Sequence, residues 1–131
     1  MIDSLDHLVL TVRDIDATLR FYETALGMQA VRFTAKDGTE RVALGFGQQK
    51  INLHQQGREF EPKAGTATPG SADLCFLTQK PVQDVIAHLQ QHGIAVIEGP
   101  VQRTGATGPI LSVYLRDPDG NLIEVSNRLE Q

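Results

Sequence analysis

The chain has 131 residues, 40% of them hydrophobic, and a net charge of −4. This length suits one compact domain or two small halves that share a core. A negative net charge without a basic cluster argues against nucleic acid and anionic membrane surfaces as partners. No apolar run has the length of a membrane span, and no secretory signal pattern opens the chain. We therefore expect a cytoplasmic protein that acts on a small-molecule substrate.

The first predicted strand carries an alternating pattern. Leu8, Leu10 and Val12 share one face, because side chains alternate along a strand, and His7 points to the other face. A lone histidine beside a strand is more often structural than catalytic. His7 becomes a functional candidate only together with the other polar side chains described below.

Two segments of the chain resemble each other at an offset of 66 residues (73 − 7 = 66). The strand near His7 matches a strand near Asp73, and Gly27 matches Gly93. A strand, a helix, a glycine and a second strand recur in this order. The pattern predicts one domain, 1–131, built from two repeats at about 1–56 and 71–127 that a 57–70 linker joins. Asp73 takes the place of His7 in the second repeat.

In the first repeat, a helix follows the first strand. Asp14 lies in its predicted N-cap region, and Gly27 is suited to its C-terminal end. The pattern then predicts strands over 28–34 and 41–46 with a turn between them, and a strand over 50–54. In this last strand, Asn52 and His54 share the polar face.

In the second repeat, we expect a helix from Pro81 to near Gly93, a short strand over 94–97 and a glycine-rich loop over 99–109. The loop carries Arg103, which could hold an anionic group, or the loop could be a mobile connection without a role. A hairpin follows around a turn at 117–120 and carries Glu124. The one cysteine, Cys75, lies in an apolar run, which predicts a buried thiol in a reducing compartment.

Four predicted strands each offer a polar residue on the face opposite their apolar residues: His7, His54, Asp73 and Glu124. If these strands form one curved sheet, the four side chains can converge, and a divalent cation would offset their desolvation. Mixed nitrogen and oxygen ligands suit Zn, Ni, Co, Mn or Fe(II). Each residue also has a structural alternative: Glu124 as a solvated residue, Asp73 as a partner of the loop, and His54 as a strand end that competes with Asn52.

Three motifs stand out along the chain: Asp6-His7-Leu8-Val9-Leu10-Thr11-Val12, Phe21-Tyr22-Glu23-Thr24-Ala25-Leu26-Gly27-Met28 and Asp117-Pro118-Asp119-Gly120-Asn121-Leu122-Ile123-Glu124. Together they resemble the vicinal oxygen chelate superfamily, which includes glyoxalases, bleomycin-resistance proteins and dioxygenases. The likeness covers nearly the whole chain, and its details are most similar to the subfamily of glyoxalase-domain-containing protein 5 and its bacterial relatives.

The resemblance implies an α+β fold in which two βαβββ modules form an open, curved mixed sheet, usually in a homodimer. It also implies a divalent metal site, in which His7 and Glu124 match the family's ligand positions. Asn52 falls where glyoxalase I generally has a glutamate, and His54, two residues on, is a candidate replacement. Asp73 stands where many relatives have a histidine, a departure that weakens the case for glyoxalase I activity.

The leading hypothesis is therefore a metal-dependent lyase or isomerase of the lactoylglutathione lyase type, which acts through an enediolate-like intermediate. His7, His54 and Glu124 are the predicted metal ligands, and Glu124 or Asp73 is the predicted base. Asn52 and Arg103 are predicted to bind the substrate, and glutathione is a candidate co-substrate.

Two alternatives remain open. The first is a protein that binds a drug or metabolite without turnover, as bleomycin-resistance relatives do, although the polar set and the 5% aromatic content argue against it. The second is a metal-dependent transferase that opens an epoxide with a thiol. Extradiol ring cleavage is less favoured, because Asp73 departs from an iron site of two histidines and one glutamate.

Overall fold

The computed structural model of the protein describes residues 1–130. The chain divides into two compact units, one formed by Met1–Gly70 and the other beginning at Ser71. Each unit contains one βαβββ module, and the predicted α+β class is confirmed. Each module forms its own four-stranded mixed sheet, and neither sheet closes on itself.

Unit 1 consists of β1 (His7–Val12), α1 (Ile15–Leu26), β2 (Gln29–Thr34), β3 (Glu40–Phe46) and β4 (Gln49–Gln55). Its strand order is β1-β4-β3-β2, with β1 parallel to β4 and the other pairs antiparallel. One face of the sheet packs on α1, and the opposite face is called the far face below. The core between helix and sheet contains Leu10, Val12, Leu19, Tyr22, Ala25, Leu44, Ile51 and Leu53.

Unit 2 consists of β5 (Asp73–Leu77), α2 (Val82–Gln91), β6 (Glu98–Gly105), β7 (Gly108–Arg116) and β8 (Leu122–Arg128). Its strand order, β5-β8-β7-β6, repeats that of unit 1, and β5 is parallel to β8. The helix α2 covers one face, so this sheet also has a far face. The core contains Val82, Val85, Leu89, Val113, Leu115, Ile123 and Val125.

The two helices receive their N-terminal caps from different places. The side chain of Asp14 accepts a hydrogen bond from Ala17 N at 3.0 Å, so α1 is capped by its own sequence, as predicted. α2 begins after Pro81, which has no side-chain cap. Instead, Asn127 of β8 accepts a hydrogen bond from Val82 N at 2.8 Å. A distant strand residue therefore holds the start of α2.

The turn between β7 and β8 is held together by hydrogen bonds of Asp117 and Asn121. Asp117 is buried, and its Oδ1 accepts hydrogen bonds from the backbone N of Asp119 and Asn121, each at 2.9 Å. Asn121 donates to the other oxygen of Asp117 at 2.8 Å and accepts from Ala72 N at 2.9 Å. The motif thus ties the β7–β8 turn to the residue before β5.

The structure corrects two predictions for unit 2. The predicted strand at 94–97 is wrong, since the strand is Glu98–Gly105, and most of the predicted loop at 99–109 belongs to the β6–β7 hairpin. Glycine and proline made this segment look irregular. Gly99 has φ 105°, and a Cβ there would collide with the backbone of Ser112, so a glycine is required where β6 passes β7.

None of the helices in residues 1–130 is long and apolar enough to cross a membrane.

Candidate functional site

The far face of unit 1 carries three of the predicted site residues. In the register of β1 and β4, His7 lies opposite Lys50, Val9 opposite Asn52, and Thr11 opposite His54. His7 and His54 are therefore four positions apart along the strands, which corresponds to roughly 13 Å between their Cα atoms. The structure places both imidazoles on the predicted face but does not bring them together.

His7 is held by its sequence neighbour. Its Nδ1 lies 2.8 Å from Asp6 Oδ1. An ionised carboxylate only accepts hydrogen bonds, so Nδ1 carries the hydrogen and the neutral ring has its lone pair on Nε2. A carboxylate that orients a histidine in this way is common behind metal-binding imidazoles.

His54 lies in an apolar and cationic environment. Its ring packs edge-on against Phe60, with centroids 5.6 Å apart, and the Arg41 guanidinium lies 3.6 Å from the centre of the same Phe60 ring. Burial, followed by the positive charge of Arg41, lowers the pKa of His54, and the opposing effect of Glu59 is smaller. Residues of the predicted linker also line a cavity of ≈ 240 Å³ beside His54. These contacts favour a neutral imidazole.

Asn52 occupies the position of unit 1 that corresponds to Glu124 of unit 2, because Val9 pairs with Asn52 as Cys75 pairs with Glu124. The Oδ1 atom of Asn52 is buried and has no hydrogen-bond partner among residues 1–130. A buried acceptor without a donor is costly. Asn52 is thus an acceptor that a ligand could satisfy.

Glu124 lies on the far face of unit 2, between Cys75 on β5 and Tyr114 on β7. Asp73 is also on this face, two positions from Cys75, and is exposed at the start of β5. The structure therefore places the two predicted carboxylates in neighbouring positions of one surface. Cys75 is exposed, so its predicted burial is wrong: the thiol lies on the far face, and Leu74 and Phe76 take the more buried positions.

A chain of hydrogen bonds ends on Glu124. Ser112 Oγ donates to Glu124 Oε2 at 2.5 Å and lies 2.7 Å from Ser126 Oγ. A hydroxyl has one hydrogen, so Ser126 must donate to Ser112. Cys75 Sγ lies 3.4 Å from Ser126 Oγ, and by the same count the thiol donates to Ser126. Desolvation and then the nearby Glu124 charge raise the pKa of the Cys75 thiol, which keeps this donor protonated.

Glu124 lines a cavity of ≈ 410 Å³ in unit 2, within the size range of small-molecule sites. Tyr114 and Cys75 lie beside Glu124, and Arg128 and Thr107 contribute to the wall. The predicted substrate-binding residue Arg103 also lines the cavity. The cavity therefore combines one carboxylate with a phenol, a thiol and two guanidinium groups.

Arg103 is already paired within unit 2. Its Nη2 lies 2.5 Å from Glu98 Oε2, and its Nε donates to Tyr114 Oη at 3.0 Å. The hydrogen bond to Tyr114 is also the main cause that raises the pKa of Arg103. Because Tyr114 Oη accepts from Arg103, the phenol hydrogen is left to be donated elsewhere. Arg103 thus orients Tyr114 as well as lining the cavity.

Among residues 1–130, no group of three or more His, Cys, Asp and Glu side chains is arranged to hold a metal ion. The metal ligands predicted from the sequence, His7, His54 and Glu124, therefore stay a prediction.

Four residues of the Glu124 site were not predicted from the sequence: Ser112, Tyr114, Ser126 and Arg128. The signal that could have identified three of them is the β7–β8 turn. A hairpin centred on this turn pairs Tyr114 with Glu124 and Ser112 with Ser126. Arg128 then follows from alternation along β8, since it shares the face of Glu124.

Comparisons with known proteins agree with the fold. The sequence matches the model of the Glyoxalase/Bleomycin resistance protein/Dioxygenase superfamily over residues 4–125. Virulence protein STM3117 of Salmonella typhimurium is 63% identical over 126 residues, which cover 96% of this chain and 85% of the relative. Glyoxalase domain-containing protein RDO1 of Mycosarcoma maydis is 61% identical over 124 residues, which cover 95% of this chain and 68% of the relative.

Solved structures give the same picture. The crystal structure of STM3117 has a TM-score of 0.91 and 62% identity, and the match covers 98% of this chain and 99% of that one. An integron cassette protein from the mobile metagenome of V. cholerae has a TM-score of 0.92 and 59% identity, with 98% of both chains covered. A lactoylglutathione lyase from Agrobacterium tumefaciens shares the fold, with a TM-score of 0.72 at 22% identity over 97% of this chain and 95% of that one.

Proposed function

The chain belongs to the glyoxalase, bleomycin resistance protein and dioxygenase superfamily, and from this membership and the Glu124 site we propose that it is a lyase or isomerase of the glyoxalase type. Its substrate is a small compound with oxygen atoms on adjacent carbons. In the reaction, a proton leaves one of these carbons to give an enediolate-like intermediate, and a proton is then returned to the adjacent carbon.

The observation that carries the proposal is the support of Glu124. One carboxylate oxygen accepts the hydrogen bond from Ser112, and Ser126 in turn donates to Ser112. Both serines are fully buried, so these hydrogen bonds fix the orientation of the carboxylate. Glu124 lines the cavity and can act as general base on a bound substrate. We assign this role to Glu124 rather than to Asp73. Asp73 is exposed at the start of β5 and does not line the cavity.

Negative charge develops on the substrate oxygen as the proton leaves carbon. Tyr114 lies directly opposite Glu124 in the sheet, and its phenol hydrogen is available because Arg103 Nε donates to the phenol oxygen. A fixed donor next to a cation stabilises a developing oxyanion. Tyr114 and Arg103 therefore complement Glu124: they hold the oxygen while the carboxylate holds the proton.

Divalent metals are common in this superfamily. When bound, such an ion supplies further stabilisation of the same oxyanion. Elemental analysis of protein purified without chelator, beside a His7→Ala variant, tests the metal prediction. Metal in the parent and its loss in the variant would support His7 as a ligand, whereas equal metal content in both would remove it from the ligand set.

Turnover of the adduct that methylglyoxal forms with glutathione tests the proposed reaction. In ²H₂O, solvent deuterium should appear at the reacting carbon of the product. We expect Glu124→Gln to lower kcat by about 10²–10⁴-fold, the usual contribution of a general base. Glu23→Gln, an exposed residue of α1, is the matched control and should keep the activity of the parent.

The alternatives give different results in the same assay. Tight binding of the adduct without turnover or deuterium incorporation would favour the protein that only binds its ligand. Consumption of an epoxide together with glutathione would favour the thiol transferase. Unchanged turnover in Glu124→Gln would contradict the assignment of the base, whatever the substrate.

A further inference from the structure

The cavity of unit 2 has two chemically different ends. Glu124 and Arg128 both lie on the far face of β8, four positions apart, which separates their Cα atoms by roughly 13 Å. Leu77 and Ile110 also line the cavity and present apolar surface. A ligand that fills it would therefore meet a carboxylate near one end and a guanidinium near the other.

We propose that Arg128 is a specificity residue that binds a carboxylate of the substrate, at the end of the cavity away from Glu124. This inference rests on the proposed function for the identity of the reacting end. It restricts the substrate class to oxygenated compounds that carry a carboxylate several bonds from the reacting carbon.

Arg128 differs from Arg103 in its partners. Arg103 is paired with the carboxylate of Glu98. Arg128 donates through Nη1 to the hydroxyl of Thr107, and none of the acidic side chains in residues 1–130 forms an ion pair with it. A guanidinium has five N–H donors in a planar fork that matches a carboxylate. The positive charge at this end of the cavity is therefore available for an anionic ligand.

The position of Arg128 is fixed by the hairpin between β6 and β7. Thr107 lies in the turn of this hairpin and accepts the hydrogen bond from Arg128. The next residue, Leu129, donates its backbone N–H to Pro109 O at 2.9 Å. These two bonds attach the end of β8 to the hairpin and hold the guanidinium at the edge of the cavity.

Two unreactive thioethers test the inference without turnover. 6-(Methylthio)hexanoate and 6-(methylthio)hexan-1-ol have the same length and differ in the carboxylate. We expect the parent to bind the carboxylate about fivefold more tightly in NMR titrations, a modest preference because Arg128 is exposed and screened by salt. In Arg128→Gln the ratio of the two affinities should fall to about one.

Two further variants sharpen the result. Arg128→Lys keeps the charge and loses the fork, so part of the preference should remain. Arg20→Gln removes an exposed arginine from α1 and should keep the full preference. Equal affinities for the two thioethers in the parent, or an unchanged ratio in Arg128→Gln, would overturn the inference.

The methylglyoxal adducts of 6-mercaptohexanoate and 6-mercaptohexan-1-ol separate this inference from the proposed function. A higher kcat/KM for the carboxylate adduct, lost in Arg128→Gln, supports both. Turnover of both adducts with equal kcat/KM overturns the role of Arg128 and leaves the lyase. A carboxylate preference in thioether binding without turnover of either adduct supports Arg128 and removes the lyase.

Discussion

The two units share one topology but differ at nearly every far-face position. Unit 2 has Glu124 between Cys75 and Tyr114, whereas the equivalent row of unit 1 has Asn52 between Val9 and Ala43. At the next pair of far-face positions in unit 2, Ser112 and Ser126 form the hydrogen bonds that support Glu124. At the equivalent positions of unit 1, Arg41 and His54 pack around Phe60. The same fold thus gives unit 2 a carboxylate that accepts a hydrogen bond and unit 1 a buried amide oxygen without a partner among residues 1–130.

This difference shows which interactions belong to the fold and which to the site. The residues that face the helices keep the same character in both units, because each must bury one face of a sheet. The far-face residues have no such requirement. Under the proposed function, unit 2 provides the acid–base chemistry through Glu124.

The largest expected effect concerns two equivalent positions at the start of the last strand of each unit, Asn121 just before β8 and Gln49 as the first residue of β4. Asn121 is buried and links Asp117 to Ala72 N, whereas Gln49 is exposed and makes a single bond of 3.3 Å to Leu5 O. Asn121→Ala removes the side-chain donor to Asp117 Oδ2 and the acceptor of the backbone N–H of Ala72, so we expect a loss of about 3 kcal/mol in the free energy of unfolding. Gln49→Ala should cost less than about 0.5 kcal/mol. Urea denaturation of the two variants compares these values, and similar losses would contradict the distinction.

The second effect concerns the helix starts. Asn127 caps α2, and its Nδ2 also donates to Thr78 O at 2.9 Å and Lys80 O at 2.8 Å. The equivalent Gln55 donates to Arg13 O, but α1 has its own cap. We expect Asn127→Ala to cost about 1–2 kcal/mol and Gln55→Ala less than about 1 kcal/mol. Thermal unfolding measures both, and a larger loss for Gln55→Ala would reverse the assignment.

The third effect has the opposite sign. Asn52→Leu removes the buried oxygen that has no partner among residues 1–130, so we expect the variant to be more stable than the parent by about 1 kcal/mol. Ser112→Val is the contrasting change in unit 2, next to the equivalent Glu124, and should be destabilising because it removes the donor to Glu124. A loss of stability in Asn52→Leu would show that the amide has a partner in solution.

The smallest effect is a pH dependence from His54. Its pKa is lowered from 6.5 in the folded protein, chiefly by burial and then by Arg41. The unfolded chain therefore binds the proton more readily, so stability is complete above about pH 6.5 and falls as the pH drops below that value. In His54→Gln this part of the loss should disappear. Denaturation at about pH 7.5 and about pH 5.5 tests it, and an equal loss in both proteins would exclude His54 as the cause.

Much of the fold could be predicted from the sequence because periodicity marks buried faces. Alternation around Leu8 and Leu10, helical spacing before Gly27 and the turn at 117–120 all led to elements that the structure contains. The misplaced strand β6 has the reason given above: Gly99 and Pro100 conceal a strand that needs a glycine for its close approach to β7.

The site was less predictable. Alternation along a strand shows on which face of the sheet a residue lies, but it does not show which residue of the neighbouring strand it pairs with. His7 and His54 lie on the predicted face, yet the parallel register of β1 and β4 separates them by four positions. Glu124 was identified from its motif, whereas its supporting serines depend on the pairing of β7 with β8. Such partners follow from register and are missed when strands are considered one at a time.

The turn at Asp117–Asn121 has a consequence for protein engineering. It connects the last hairpin to the start of β5 entirely through its own side chains and backbone. The far-face side chains around Glu124 therefore take no part in this anchoring. The side chains at positions 75, 112, 114, 124 and 126 make none of these bonds, so substitutions there should leave the anchored turn in place.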